Sequence, residues 1–161
     1  MNIISMPDLR TAPGTYVLHL DIAHREQIEV GRLGVLDATK GRYLYVGSAL
    51  GPGGVKARVQ RHARANKNTH WHIDYVRAEA SLRGVWVAYS DRRLECDWAR
   101  ALAETPGATI PMPGFGASDC SCSAHLIGWS DPQSIDRIGS VLRRTTDGAA
   151  VHYLPNEPSG E

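Results

Sequence analysis

The 161-residue sequence lacks any apolar run close to the roughly 20 residues that a membrane-spanning helix requires. Its first residues contain no basic segment followed by an apolar stretch, so we predict no secretory signal and expect a cytoplasmic location. Hydrophobic residues make up 42% of the chain and charged residues 22%, which is typical of a soluble globular protein. The length suits one domain rather than several.

Cysteine is scarce, with three in the whole chain. An odd number without an export signal argues against a disulfide framework and indicates thiols or a metal site. Cys120, Cys122 and His125 lie close together in sequence, and Cys96 would complete a tetrahedral zinc set of three sulfurs and one imidazole. The C-x-C spacing is tighter than usual, however. Three small buried residues beside an ordinary histidine also explain the pattern, so both interpretations stay open.

Acidic residues are missing from one long stretch, since none occurs between Asp37 and Asp74. The whole chain has a formal net charge of only +1, so this basic character is local. A local basic region is typical of phosphate binding, although a solvated helix face with counter-charges from elsewhere in the fold fits as well. The residues that we expect to contact a nucleic-acid backbone are Lys56, Arg61, Arg64 and Lys67.

Alternating residues predict several strands. Residues 14–20 (GTYVLHL) and 42–47 (RYLYVG) alternate and are rich in β-branched and aromatic residues. Tyr43 and Tyr45 would share one face of the second strand. We expect residues 28–33 to pair with the first strand across a hairpin. Further strands are predicted over 82–89 and 125–129.

Helical spacing of apolar residues predicts helices over 55–65, from 92 to about 104 with Asp91 as N-cap, and over 131–145. The pattern at 70–76 (HWHIDYV) does not decide between strand and irregular structure. A glycine-rich turn precedes the first helix, and we expect its backbone N–H groups at the helix N-terminus to favour an anion.

The domain organisation is predicted to be simple. Residues 1–130 would form one domain, and residues 131–161 would add a C-terminal helix and tail that pack on it or trail from it. The last six residues (156–161) are expected to fray.

Five residues on these elements supply the groups that phosphodiester hydrolysis needs. The reaction requires a group that accepts or orients a proton, a cation beside the phosphate, and a carboxylate that holds a divalent metal. The set comprises Tyr16, Tyr45, Arg58, His62 and Glu95. Each residue alone has an ordinary structural explanation, as a core aromatic or as a residue on a helix surface.

Taken in order, these residues resemble the GIY-YIG nuclease superfamily. Residues 14–16 (GTY) and 45–47 (YVG) are similar to the two halves of its signature, and Arg58 and His62 follow one turn apart on the next helix. The resemblance covers about residues 13–104. It implies an α/β (α+β) fold with a small, mainly antiparallel central sheet flanked by helices. The whole chain looks closest to a prokaryotic subgroup that occurs alone or fused to DNA-repair glycosylase domains of the endonuclease III type.

The resemblance also implies roles for the residues. Tyr16 would activate or orient the attacking water, Tyr45 and His62 would assist proton transfer or position the phosphate, and Arg58 would stabilise the pentacovalent phosphate. Glu95 would bind one divalent metal, usually Mg²⁺ or Mn²⁺. His72 is a further catalytic candidate, because some members carry a second histidine or tyrosine after the first helix.

The chain departs from the common pattern at residues 51–54 (GPGG), which lengthen the turn before the helix and would shift Arg58.

From the five residues and the resemblance together, we expect a metal-dependent endonuclease acting on DNA, with structure-specific cutting as one interpretation. Two alternatives stay open: a nucleic-acid-binding module that cuts nothing, and a zinc-stabilised interaction domain. No membrane and no organic cofactor are expected as partners.

Overall fold

The computed structural model describes residues 4–5, 8–64, 69, 71–117, 122–130, 135–146 and 148–158. Within these residues the chain forms a mixed α+β fold, with four helices flanking a six-stranded antiparallel sheet, as expected. The strands are β1 (Ile4–Ser5), β2 (Gly14–Ile22), β3 (Glu26–Val30), β4 (Gly34–Ala38), β5 (Gly41–Ala49), β6 (Ser81–Tyr89), β7 (Ala108–Thr109), β8 (Leu126–Trp129), β9 (His152–Pro155) and β10 (Glu157–Pro158). The helices are α1 (Gly54–Ala63), α2 (His72–Arg77), α3 (Glu95–Ala103) and α4 (Ile135–Arg144).

The central sheet has the strand order β7-β8-β5-β2-β6-β9, with β2 between two other nine-residue strands. The expected pairing of residues 28–33 with the first strand is wrong. Both edges of β2 are occupied by β5 and β6, and β3 pairs instead with β4, where Ile28 lies opposite Leu36. Residues 31–33 form a short 3-10 turn between these two strands.

The sheet separates two apolar cores, because successive residues of a strand point to opposite faces. Leu18 and Tyr45 lie on the face that packs against α1 and α2, whereas Val17 and Leu44 lie on the other face with α3 and α4. The predicted shared face of Tyr43 and Tyr45 is confirmed.

Several element boundaries differ from the prediction. Helix α3 begins at Glu95 rather than at residue 92, because Ser90 accepts a hydrogen bond from the Arg92 N–H and forms a turn there, so Asp91 is not the N-cap. Residues 72–76 of the undecided segment are helical and belong to α2, which ends at Arg77.

The tail prediction is wrong for part of residues 156–161. Residues 157–158 form β10, which pairs with β1, and the preceding β9 extends the central sheet beside β6. The C-terminal helix α4 buries Ile138 and Leu142 in the core it shares with α3. Among the described residues, every helix falls short of the length and apolar character required to cross a bilayer.

His19 is a buried histidine on the α3 side of β2, where its side chain is surrounded by aromatic rings. Its Nδ1 lies 3.0 Å from the Tyr153 hydroxyl, and its ring centroid lies 5.4 Å from that of Trp86. Burial, and then the positive charge of Arg42, lower the pKa of His19 from 6.5 to about 4. The folded chain therefore binds the His19 proton more weakly than the unfolded chain does.

This difference predicts a loss of stability in acid. As the pH falls from 6.5 to 4, the unfolded state takes up a proton at His19 before the folded state does, which costs about 3 kcal/mol of unfolding free energy. Urea denaturation at several pH values should therefore show that His19→Gln loses less unfolding free energy between pH 6.5 and 4 than the wild type does. His152→Gln, at an exposed histidine on β9, is the control. Identical pH dependence in wild type and His19→Gln would contradict the expectation.

Candidate active site

One cleft of about 350 Å³ lies at the end of β5 and collects five of the predicted residues. Each of them comes from a different element: one from each of β2, β5, α1, α2 and α3. Elements that are up to 79 residues apart in sequence therefore converge on one opening. The residues are Tyr16, Tyr45, Arg58, His72 and Glu95.

The two tyrosines reach the cleft because of strand register and a glycine. Tyr16 lies opposite Gly47, and Tyr45 lies opposite Leu18, so the tyrosines are diagonal neighbours on one face of the sheet. A Cβ atom at Gly47 would overlap the Tyr16 ring. Position 47 therefore provides the space that the Tyr16 side chain occupies.

The Tyr16 hydroxyl is hydrogen-bonded to the buried side chain of His62. The Tyr16 hydroxyl is 2.7 Å from Nε2 of His62, and both residues are buried with 1% exposure. Burial, then the neighbouring Tyr45, raise the pKa of Tyr16 well above its ordinary value, and Arg58 opposes this rise. Burial also raises the pKa of Tyr45. Both hydroxyls are therefore protonated at neutral pH.

Arg58 lines the cleft despite the long turn before its helix. Its Nη1 donates a hydrogen bond to the Ser48 carbonyl at 3.1 Å, and its guanidinium carbon lies 4.8 Å from the centre of the Trp71 ring. The ring attracts the cation and restricts its orientation. The lengthened turn at residues 51–54 therefore does not remove the guanidinium from the cleft.

The expected anion site at the N-terminus of α1 is wrong. The Val55 and Lys56 N–H groups donate to the carbonyls of Ala12 and Arg10, each at 2.9 Å, and Ala57 donates to the Gly53 carbonyl. The segment before β2 thus occupies the donors that an anion would need. Gly54 allows this close approach, because its left-handed backbone (φ 61°) suits glycine and a Cβ atom there would overlap the backbone of Ala12.

Glu95 is the first residue of α3, and its side chain is 17% exposed at the cleft. One oxygen, Oε2, lies 3.0 Å from Nδ1 of His125, and the other, Oε1, lies 3.7 Å from the Arg93 guanidinium. The carboxylate therefore faces a buried imidazole on one side and an exposed cation on the other.

His72 is fixed by a backbone donor. The Gly116 N–H donates to its Nδ1 at 2.8 Å, so the neutral imidazole carries its proton on Nε2. His72 is the first residue of α2 and lines the cleft, where it can act as a hydrogen-bond donor.

The predicted basic contacts differ in their surroundings. Lys56 and Arg64 are exposed, and Lys67 lies outside the described residues. Arg61 binds both carboxylate oxygens of buried Asp74 at 2.9 and 3.0 Å and stacks on Trp71 at 4.1 Å. For Arg61, then, a counter-charge does come from elsewhere in the fold.

Three of the four predicted zinc ligands, here called the sulfur cluster, lie together beside the cleft: Cys96, Cys122 and His125. Ligand atoms of Cys96, Cys122 and His125 all lie within 4.8 Å of one another, so this group could hold a metal ion. The fourth candidate, Cys120, lies outside the described residues.

A comparison with protein families matches the model described as "Domain of unknown function DUF123" over residues 15–146. The chain belongs to this family. The match extends from β2 into the turn after α4, so it includes all the cleft residues and the sulfur cluster. Comparison with curated proteins finds no match. Comparison with solved structures also finds none.

Two residues that line the cleft of this DUF123 domain were missed by the sequence analysis. Trp71 carries the stacked guanidinium of Arg58, and only its place in an aromatic, histidine-rich segment could have drawn attention to it. Arg93 adds an exposed cation beside Glu95, but no spacing rule marks it, because it lies before the helix rather than within it.

Proposed function

We propose that this DUF123 domain is a metal-dependent endonuclease of the GIY-YIG type that hydrolyses phosphodiester bonds in DNA. The observation that carries the proposal is the convergence of two tyrosines, an arginine, a histidine and a glutamate on one cleft. These are the groups that the reaction requires, and a chance set of surface residues would not be expected to meet from five separate elements.

The Tyr16–His62 pair supports a route for the proton of the attacking water. The raised pKa of Tyr16 means that it does not act as a preformed phenolate. A water molecule in the cleft can instead donate to the Tyr16 oxygen while the Tyr16 hydroxyl donates to Nε2 of His62 at 2.7 Å. The oxygen of the water then attacks the phosphorus, the bond from the phosphorus to the leaving oxygen breaks, and the proton that leaves Tyr16 is held on His62.

Three further groups can stabilise the phosphate as negative charge builds on it. The Arg58 guanidinium is a planar cation with several N–H donors, and the protonated Tyr45 hydroxyl is a further hydrogen-bond donor. The Nε2–H of neutral His72 can donate to the leaving oxygen. Donors held in place before the reaction act more strongly than mobile water.

The donor set of the cleft fits Mg²⁺ or Mn²⁺. Glu95 supplies a carboxylate at the cleft, and Mg²⁺ is commonly held by one or two carboxylates together with water and phosphate oxygens. The bound ion would neutralise charge on the phosphate. The neighbouring thiols and imidazole favour zinc instead, so the two kinds of metal would bind in different places.

A cleavage assay tests the proposal. Purified protein is incubated with supercoiled plasmid and with branched, flapped and single-stranded DNA, in Mg²⁺, in Mn²⁺ or in chelator. We expect cutting that requires the metal and that is absent from an identically prepared protein lacking the Glu95 carboxylate. Salt-sensitive binding without cutting on any substrate would overturn the nuclease proposal in favour of a binding module.

Arg93 predicts a smaller effect, on binding rather than on chemistry. Its side chain is 68% exposed, so it can meet a phosphate of the DNA backbone at low desolvation cost. Arg93→Gln should raise KM about 3- to 10-fold with little change in kcat, and should lower the salt dependence of binding by about one phosphate contact. Arg137→Gln, at an exposed arginine on α4, is the control. A fall in kcat with unchanged KM would contradict this role.

A further inference from the structure

The backbone around the sulfur cluster is firmly held. The His125 N–H donates to the Phe115 carbonyl at 2.7 Å, and the His125 carbonyl accepts from the Val46 N–H at 2.9 Å. Two residues earlier, the Ser123 carbonyl accepts a hydrogen bond from the Gly114 N–H at 2.7 Å. His125 itself is 1% exposed. The imidazole and the neighbouring Cys122 therefore lie on a segment whose position is set by hydrogen bonds from two sides.

The chemistry of the cluster matches a zinc ion. In a tetrahedral site, Zn–S bonds of about 2.3 Å and Zn–N bonds of about 2.0 Å place the donor atoms about 3.5–3.8 Å apart. Donor atoms that already lie within 4.8 Å reach those separations through small side-chain movements. Cys96 is also in the first turn of α3, where the helix dipole favours the thiolate that binds metal.

His125 belongs to the sulfur cluster and also lies beside the carboxylate of the cleft. Its Nδ1 lies 3.0 Å from Oε2 of Glu95, at an angle that does not make a hydrogen bond in this structure, so a small rotation of the ring is needed to align the two. Zinc on the other ring nitrogen, Nε2, would leave the Nδ1–H to this carboxylate. A carboxylate that accepts the second ring N–H of a metal-bound histidine is the usual outer partner of such a ligand, and it fixes the orientation of both groups.

We propose that Cys96, Cys122 and Nε2 of His125 hold a zinc ion, and that this zinc centre positions the Glu95 carboxylate in the cleft through His125. The fourth position is left to water or to a ligand outside the described residues. The positioning half of the proposal rests on the proposed function, in which Glu95 holds the catalytic metal. The zinc half does not.

The zinc half is tested by elemental analysis of the full chain, purified without chelator. We expect about one zinc per chain in the wild type and in Ser123→Ala, and loss of that zinc in Cys96→Ser, Cys122→Ser and His125→Gln. If these variants fail to fold, the wild-type protein is loaded with Co²⁺ in place of zinc and its absorption spectrum is measured. Thiolate ligands to Co²⁺ give strong charge-transfer absorption near the ultraviolet, so the spectrum shows whether the cysteines bind the metal. Wild-type protein without zinc, or a Co²⁺ form without thiolate bands, would overturn the proposal.

The positioning half is tested by zinc affinity, measured in competition with a chromophoric chelator. Glu95→Ala should bind zinc about 10- to 100-fold more weakly, whereas Glu95→Gln should recover most of the affinity, because its amide oxygen can still accept a hydrogen bond from the Nδ1–H of a zinc-bound His125. Glu104→Ala, at an exposed glutamate at the end of the same helix, should bind zinc as the wild type does.

Equal zinc affinity in Glu95→Ala and the wild type would overturn the positioning role. Neither readout uses cleavage, so the two proposals fail separately. A zinc-loaded protein that cuts no DNA would refute the nuclease alone, and a metal-dependent nuclease without zinc would refute the zinc centre alone.

Discussion

Glu95→Gln is expected to reduce the metal-dependent rate of DNA cleavage by about 10³-fold or more, which corresponds to about 4 kcal/mol of transition-state stabilisation. The substitution removes the charge that holds the divalent ion but keeps the size and the acceptor oxygen that faces His125. The rate is measured in single turnover with saturating protein, so that weaker substrate binding does not enter.

Glu104→Gln makes the same chemical change at an exposed position on the end of α3, and it should cleave at the wild-type rate. Zinc content is measured in both proteins, and we expect it to be unchanged. A Glu95→Gln protein that still cuts within tenfold of the wild type would show that the metal-binding carboxylate lies elsewhere.

Tyr16→Phe is expected to lower the cleavage rate by about 10²- to 10⁴-fold, the usual contribution of a group that transfers a proton in the transition state. The Phe ring keeps the packing against Gly47 but breaks the route from the water to His62. Tyr43→Phe is the matched control. Its hydroxyl is also bonded, to the Thr39 carbonyl at 2.7 Å, and it lies on the same face of the sheet but away from the cleft.

Tyr16→Phe loses the hydrogen bond to His62, and Tyr43→Phe loses those to the carbonyl and the hydroxyl of Thr39, so each should lose about 1 to 2 kcal/mol of unfolding free energy in urea denaturation. A loss of activity confined to Tyr16→Phe then reports on chemistry and not on folding. Equal cleavage rates for the two variants would remove Tyr16 from the proton route. Binding of DNA should stay near the wild-type level in both.

Local periodicity was enough to predict much of this fold. The alternation in β5 placed Tyr43 and Tyr45 on one face of that strand, as the structure has them, because a strand allows only two directions for its side chains. The four-residue spacing of Arg58 and His62 predicted that they stack one turn apart on a single face of the helix, next to its apolar stripe. What spacing did not reveal is that His62 lies behind Tyr16 while Arg58 opens to the cleft.

The features that could not be predicted all depend on contacts between distant segments. The N–H groups of Val55 and Lys56 are satisfied by carbonyls more than 40 residues earlier, and nothing in the turn sequence indicates those partners. The same holds for the imidazole of His125 beside Glu95, which are 30 residues apart. Such pairings follow from the packing of whole helices and strands, which a local sequence pattern does not predict.

The cleft is a junction between the two halves of a sandwich, because Arg58 is carried by a helix on one side of the sheet and Glu95 by a helix on the other. The distance between the Arg58 guanidinium and the Glu95 carboxylate is therefore set by how closely α1 and α3 pack against the two faces of the sheet. A bulkier or truncated side chain on the buried face of α3, for example at Trp98, would shift the helix as a rigid unit. The Glu95 carboxylate would move with the helix, so the substitution would affect the reaction from a distance. Random mutagenesis should accordingly find activity-altering substitutions, with DNA binding intact, in a core that never meets the substrate.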